Sequence, residues 1–176
     1  MSALLIFERL PVPRLLFSAE IPRVYLRIAA ADDQVRVLEL PIGVRDGTSS
    51  VGDFTARSQY FQTAHHKRLI GGYLSRVSKR RVANVRRDPV VDALIWLSEG
   101  RDLDPSRRQT LMEEAPEFVK RATLGSVVID RPRTPESLRA FATTTFRLEL
   151  IDSDGDFELY RPQFELPAAV ATTVTR

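Results

Sequence analysis

The chain contains no cysteine, so neither a disulfide nor a thiolate metal site can form. Histidine occurs only at the adjacent positions His65 and His66. Neighbours on a helix point about 100° apart, so the pair cannot readily share one metal ion. No carboxylate stands in their segment to complete a zinc shell, so no metal site is expected. No apolar run approaches the roughly 18 residues of a membrane-spanning helix. Ala3-Leu-Leu-Ile-Phe7 runs straight into Glu8 and is too short for a signal-peptide core. The chain as given is therefore expected to be soluble. Glycine is present, but Gly43, Gly47 and Gly52 match neither a Walker loop nor a dinucleotide fingerprint, and no cofactor is indicated. Asp152, Asp154 and Asp156 flank a misplaced glycine, and Gln163 stands where a calcium loop would close with glutamate. That stretch reads as a hairpin turn.

The most telling absence is local. Residues 54–87 hold no acidic side chain, yet they include Arg57, Lys67, Arg68, Arg76, Lys79, Arg80, Arg81, Arg86 and Arg87. The part after them is rich in Asp and Glu. Such a split predicts either a basic face that attracts phosphate, nucleic acid or anionic lipid, with a basic nucleic-acid-binding protein as one alternative, or internal pairing between the two halves. Lys79, Arg80, Arg81, Arg86 and Arg87 form the candidate anion-binding group. Aromatic side chains for base stacking are missing there, so the pattern suits phosphate or anionic-lipid attraction better than sequence readout of a nucleic acid.

At 176 residues the chain can enclose one core, and residues 1–166 read as a single α/β domain. Residues 1–17 form an extended lead-in, with a short strand at 3–7, and residues 167–176 a frayed tail. Helices are expected over 18–31, 57–67 and 89–98. Another opens at Asp104-Pro105 and breaks or restarts at Pro116, and a further one is capped by Thr134. Strands are expected over 35–40, 126–130, 146–151 and 157–160, with 42–53 a loop and 74–87 either irregular or helical. This order predicts a layered sandwich: a mostly parallel sheet covered by helices, with 35–40 beside 126–130 and a C-terminal antiparallel hairpin. Arg36 and Glu39 interrupt an otherwise apolar strand and receive no role from the sequence.

Chemistry-bearing groups concentrate in Tyr60-Phe-Gln-Thr-Ala-His-His-Lys-Arg-Leu-Ile-Gly-Gly-Tyr-Leu-Ser-Arg76. Here Tyr60, Gln62, Thr63, His65, Lys67, Tyr73 and Arg76 are the candidate ligand- or partner-binding residues. An equally simple expectation is that the segment anchors a loop on the sheet, its polar groups satisfying buried backbone. As an acid/base, His65 is the one candidate with an ordinary pKa near neutrality. An enzyme on a phosphorylated or glycosyl substrate would pair it with Arg68 or Arg76 as anion clamp.

The same segment resembles a signature of bacterial polytopic membrane proteins of the GT-C glycosyltransferase type. Their C-terminal soluble region carries aromatic-x-Gln-Thr-x-His-Gly-Lys-Pro-hydrophobic-x-Gly-Gly-Tyr-hydrophobic-Ser-Arg. Tyr60, Gln62, Thr63, His65, Lys67, Gly71, Gly72, Tyr73, Ser75 and Arg76 fit it. His66 replaces the glycine and Arg68 the proline, residues that would shape a tight turn. The resemblance implies a non-catalytic accessory domain on the extracytoplasmic face, because sugar transfer in that family is built by membrane helices. It implies a membrane protein, an anionic membrane surface or a phosphate-bearing glycan-lipid as partner.

Overall fold

A computed structural model describes residues 20–32, 34–47, 49–73 and 84–164. The lead-in 1–17, the tail 167–176, and Arg76, Lys79, Arg80 and Arg81 lie outside the described residues. Within them the chain forms α1 (Arg23–Ala29), β1 (Arg36–Leu40), β2 (Gly43–Arg45), β3 (Ser50–Gly52), α2 (Ala56–His65), β4 (Arg68–Ile70) and β5 (Gly72–Tyr73). It continues through α3 (Pro89–Ser98), α4 (Pro105–Ala122), β6 (Leu124–Asp130), α5 (Glu136–Thr145), β7 (Leu148–Asp154) and β8 (Phe157–Pro162).

The main sheet has the order β4-β1-β6-β8-β7. β1 runs parallel to both β4 and β6, while β8 is antiparallel to β6 and β7. The fold is thus an α/β sandwich whose parallel centre is extended by a C-terminal antiparallel hairpin. Central parallel strands are buried on both faces. Leu38, Leu40, Val127 and Ile129 enter a core shared with α3, α4 and α5. Val37 and Val128 enter a second core with Val24, Tyr25 and Ile28 of α1 and Phe61 of α2.

The helix starts follow their caps. The Asp88 carboxylate accepts from Val90 N at 3.0 Å and Val91 N at 3.2 Å, with Pro89 in the first turn. Asp104 accepts from Arg107 N at 2.9 Å. The Thr134 hydroxyl instead sits between the Leu40 and Asp130 carbonyls, and Pro135 caps α5 without a side-chain bond.

Four expectations need correction. Residues 42–53 are not all loop. β2 and β3 pair antiparallel, and β2 takes β5 as a parallel neighbour, giving a small second sheet. Their strands hold three residues or fewer, too short for a period-two pattern to register. Pro116 does not interrupt α4, which runs unbroken for 18 residues. An interior proline costs about 3 kcal/mol. Burial of Phe118 and Val119 beyond it returns roughly 1.5–3 kcal/mol each, enough to carry the helix on. Phe146 is no strand residue but the buried C-cap of α5, and β7 extends to Asp154, leaving Gly155-Asp156 as the turn. Finally, α1 begins only after Pro22.

Candidate functional site

The described part of the chemistry-rich segment, residues 60–73, folds as the end of α2, a two-residue reversal at His66 and Lys67, then β4 and β5. Thr55 caps α2 by accepting from Arg57 N at 3.3 Å. At the other end His66 adopts the left-handed conformation, φ 57°, and its N–H donates to the Gln62 carbonyl at 2.8 Å. His66 therefore takes a backbone shape that glycine would favour, and the helix does not run on.

This reversal divides the segment into an inner and an outer set. His65 is 1 % exposed, its ring stacked on Tyr25 with centroids 6.0 Å apart. Its Nδ1 accepts from Lys67 N at 3.0 Å. Burial, then the neighbouring charges of His66 and Lys67, lower its pKa to about 4. At neutral pH the ring is uncharged, enclosed and already bonded through one nitrogen. Lys67 is buried too, its Nζ donating to the Ala31 carbonyl at 2.9 Å. The Gln62 amide donates to the Lys67 carbonyl at 2.9 Å. These bonds tie the end of α2 to α1, as buried polar groups require.

Outward lie Gln59, Tyr60, Thr63, His66 and Tyr73. Tyr60 is 43 % and Tyr73 41 % exposed. One hollow of about 280 Å³ is lined by Gln59, Gln62, Thr63 and His66. A second, of about 390 Å³, is lined by Arg45, Asp46, Gly47, Phe54, Ala56, Gln59 and Tyr73. Gln59 borders both. A further cavity of about 520 Å³ opens at the opposite end of the sheet, beside Ala31, Leu124 and Phe164. It holds none of the residues singled out from the sequence.

Several basic residues are engaged internally. Arg57 pairs with Asp130 at 2.6 Å, and Arg86 pairs with Asp92 at 2.9 Å and Glu99 at 2.7 Å. For these two the acid-poor stretch does meet the acid-rich remainder inside one fold. Arg68 and Arg87 are exposed.

Sequence reasoning missed a polar cluster at the carboxyl ends of β1 and β6. Glu39 shares a face with Val37, and Asp130 with Val128, so both carboxylates point toward α1 and α2. Arg57 and Ser58 of α2, Tyr25 of α1 and Arg133 join them around a cavity of about 10 Å³. A second cavity of about 20 Å³ lies on the other side of Glu39, bounded by Asp53, Phe54 and Gly72. Glu39 Oε1 is enclosed and has no hydrogen-bond partner among the described residues. Burial, opposed by Ser58 and reinforced by Asp130, raises the Glu39 pKa to about 7. Burial and the nearby Glu39 and Asp130 push the Tyr25 hydroxyl far above its ordinary value. The signal was present in the sequence: an acid embedded in Val37-Leu-Glu-Leu40 is costly unless its environment answers it. Open α/β sheets commonly place ligands beyond the carboxyl ends of their strands. Here both cavities are of water size.

The chain is therefore an α/β sandwich with a largely buried polar cluster at its carboxyl edge and an open polar trough along α2. Among the described residues no His, Asp and Glu group is arranged to hold a metal ion, and no helix is long and apolar enough to cross a membrane. No protein-family model, curated protein or solved structure matches this chain.

Proposed function

We propose that this chain is a non-catalytic binding domain, related to the soluble tail of GT-C-type membrane glycosyltransferases and acting beside a membrane or a membrane partner. The observation that carries this reading is the division of the chemistry-rich segment. Its best acid/base group, His65, is enclosed and uncharged, and Lys67 is turned into the fold. A general base must reach its substrate's proton. The enclosed imidazole gives the alternative of a His65-dependent enzyme no support. What lies outward among the described residues of the segment is amide, hydroxyl and aromatic surface with the His66 imidazole and the Arg68 guanidinium beside it, a set suited to recognition.

The membrane side of the reading rests on the basic run through Lys79, Arg80 and Arg81. Polybasic segments contribute roughly 1 kcal/mol per cation near an anionic leaflet. Flotation with phosphatidylglycerol vesicles is expected to recover the chain, and flotation with phosphatidylcholine vesicles is not. Reversing the three charges to glutamate is expected to abolish recovery. Equal flotation of parent and variant on both vesicle types would sink the membrane assignment.

A further inference from the structure

We propose that the trough along the outer face of α2 binds a saccharide chain, with Tyr73 as its stacking platform and Gln59 as its central hydrogen-bonding residue. The inference rests on the reading of the chain as a binding domain and names the ligand class.

Shape comes first. Small-molecule clefts span roughly 300–1,000 Å³. The hollows of about 390 Å³ and about 280 Å³ meet at Gln59, so together they reach this range as a long, shallow depression. That form suits a chain lying along the helix better than a compact ligand needing enclosure. The water-sized cavities beside Glu39 could not admit either.

The lining then selects the chemistry. Tyr73 is 41 % exposed, its ring backed by Phe54 with centroids 6.3 Å apart. Such a ring presents a negative face to the weakly positive C–H groups of a pyranose. Gln59 and Gln62 carry both donors and acceptors, as does the Thr63 hydroxyl, and vicinal sugar hydroxyls need that mixture. These groups are fixed in place before any ligand arrives. Gln59 Nε2 donates to the Tyr73 carbonyl at 3.4 Å, and the Thr63 hydroxyl donates to the Tyr60 carbonyl at 2.6 Å, leaving its oxygen as an acceptor. Preorganisation of this kind lowers the ordering cost of binding.

Charge narrows the class further. Arg45 is exposed on the trough and the His66 imidazole borders its other hollow, whereas the Asp46 carboxylate is enclosed and accepts from Ser49 N at 2.6 Å. A cationic ligand bound there would face the Arg45 guanidinium. A hydroxyl-rich chain meets no such conflict, and its hydroxyls can accept from Arg45. With few aliphatic groups in the lining, an apolar ligand would gain little from it.

The test is a ¹⁵N-resolved titration of the full chain, without vesicles, using mannohexaose, maltohexaose, cellohexaose and chitohexaose, with inorganic phosphate as the control. At least one saccharide is expected to shift the Gln59 side-chain amide and the Thr63 and Tyr73 backbone amides. Tyr73→Ala is expected to weaken binding roughly tenfold, and Tyr73→Phe to retain it. Circular dichroism and urea midpoints of the variants check that the fold is intact. The proposal falls if no saccharide moves these signals, if the shifts map elsewhere, if phosphate alone moves the same set, or if Tyr73→Ala binds like the parent. Because no membrane is present, this outcome is read independently of vesicle flotation.

Discussion

Glu39 and His65 approach Tyr25 from different sides and should give the fold two opposed pH dependences. The His65 ring stacks on Tyr25, and Glu39 acts on the Tyr25 hydroxyl. Glu39 titrates at about 7 in the folded chain against an ordinary 4.5. The native state then binds the proton more tightly than the unfolded state, so stability falls as pH rises from 4.5 to 7. At 1.36 kcal/mol per pH unit, the full loss is about 3 kcal/mol. His65 behaves in the opposite sense, titrating at about 4 against an ordinary 6.5. Here the unfolded state binds the proton more tightly, so stability falls as pH drops from 6.5 to 4, again by about 3 kcal/mol. Between 4.5 and 6.5 the two slopes nearly cancel, and the parent's contribution from this pair is close to flat.

Two variants separate them. Glu39→Gln removes the carboxyl titration, and His65→Asn keeps an acceptor for Lys67 N while removing the imidazole. Urea unfolding followed by circular dichroism at several pH values gives each variant's stability relative to the parent. The Glu39→Gln difference is expected to rise by about 3 kcal/mol between about pH 4.5 and 7.5, and the His65→Asn difference by a similar amount as pH falls from about 6.5 to 4. The slopes are decisive, since cavity effects shift the levels alike at every pH. If both differences are independent of pH, neither group is enclosed as described and the reasoning fails.

Two further outcomes concern the backbone. His66→Gly relieves a left-handed residue at the C-cap of α2, so urea unfolding should show a gain of about 1 kcal/mol; a loss would mean that the His66 side chain contributes contacts that outweigh the strain. In Gly125→Ala the new Cβ would stand 2.5 Å from Val35 Cβ and 2.7 Å from Val35 Cγ1, which should lower stability by roughly 1–3 kcal/mol; an unchanged urea midpoint would show that β6 and the start of β1 can part freely.

Much of the fold was legible because its signals are local and strong. Asp88-Pro89 and Asp104-Pro105 announce helix starts by capping chemistry, and Val37, Leu38, Val127 and Val128 announce strands buried on both faces. What escaped depends on distant partners. β2, β3 and β5 are too short to carry a pattern, and they exist because Val44 finds both Val51 and Gly72 across the ladder. Pro116 is tolerated through anchors on both sides of it, which no local rule about proline could supply. The Glu39 cluster joins residues from α1, β1, α2 and β6, and only the parallel register of β1 on β6 brings Glu39 and Asp130 to one face.

The adjacent histidines show where local geometry stops and tertiary packing begins. The angle of about 100° between neighbouring helical positions already disfavours a shared metal and allows one ring to turn inward while the other turns out. It does not say which. The helix position of Phe61, four residues before His65, favours His65, because residues i and i+4 share a face. Tyr25 completes the choice: its ring packs on Phe61 at 4.5 Å and on His65 at 6.0 Å, so both are held by one aromatic surface of α1. His66, left outside, then closes α2 in the left-handed conformation and borders the trough beside Gln59. The segment's recognition surface is thus fixed by an aromatic contact made more than 30 residues upstream, on a helix with no chemistry of its own to advertise it.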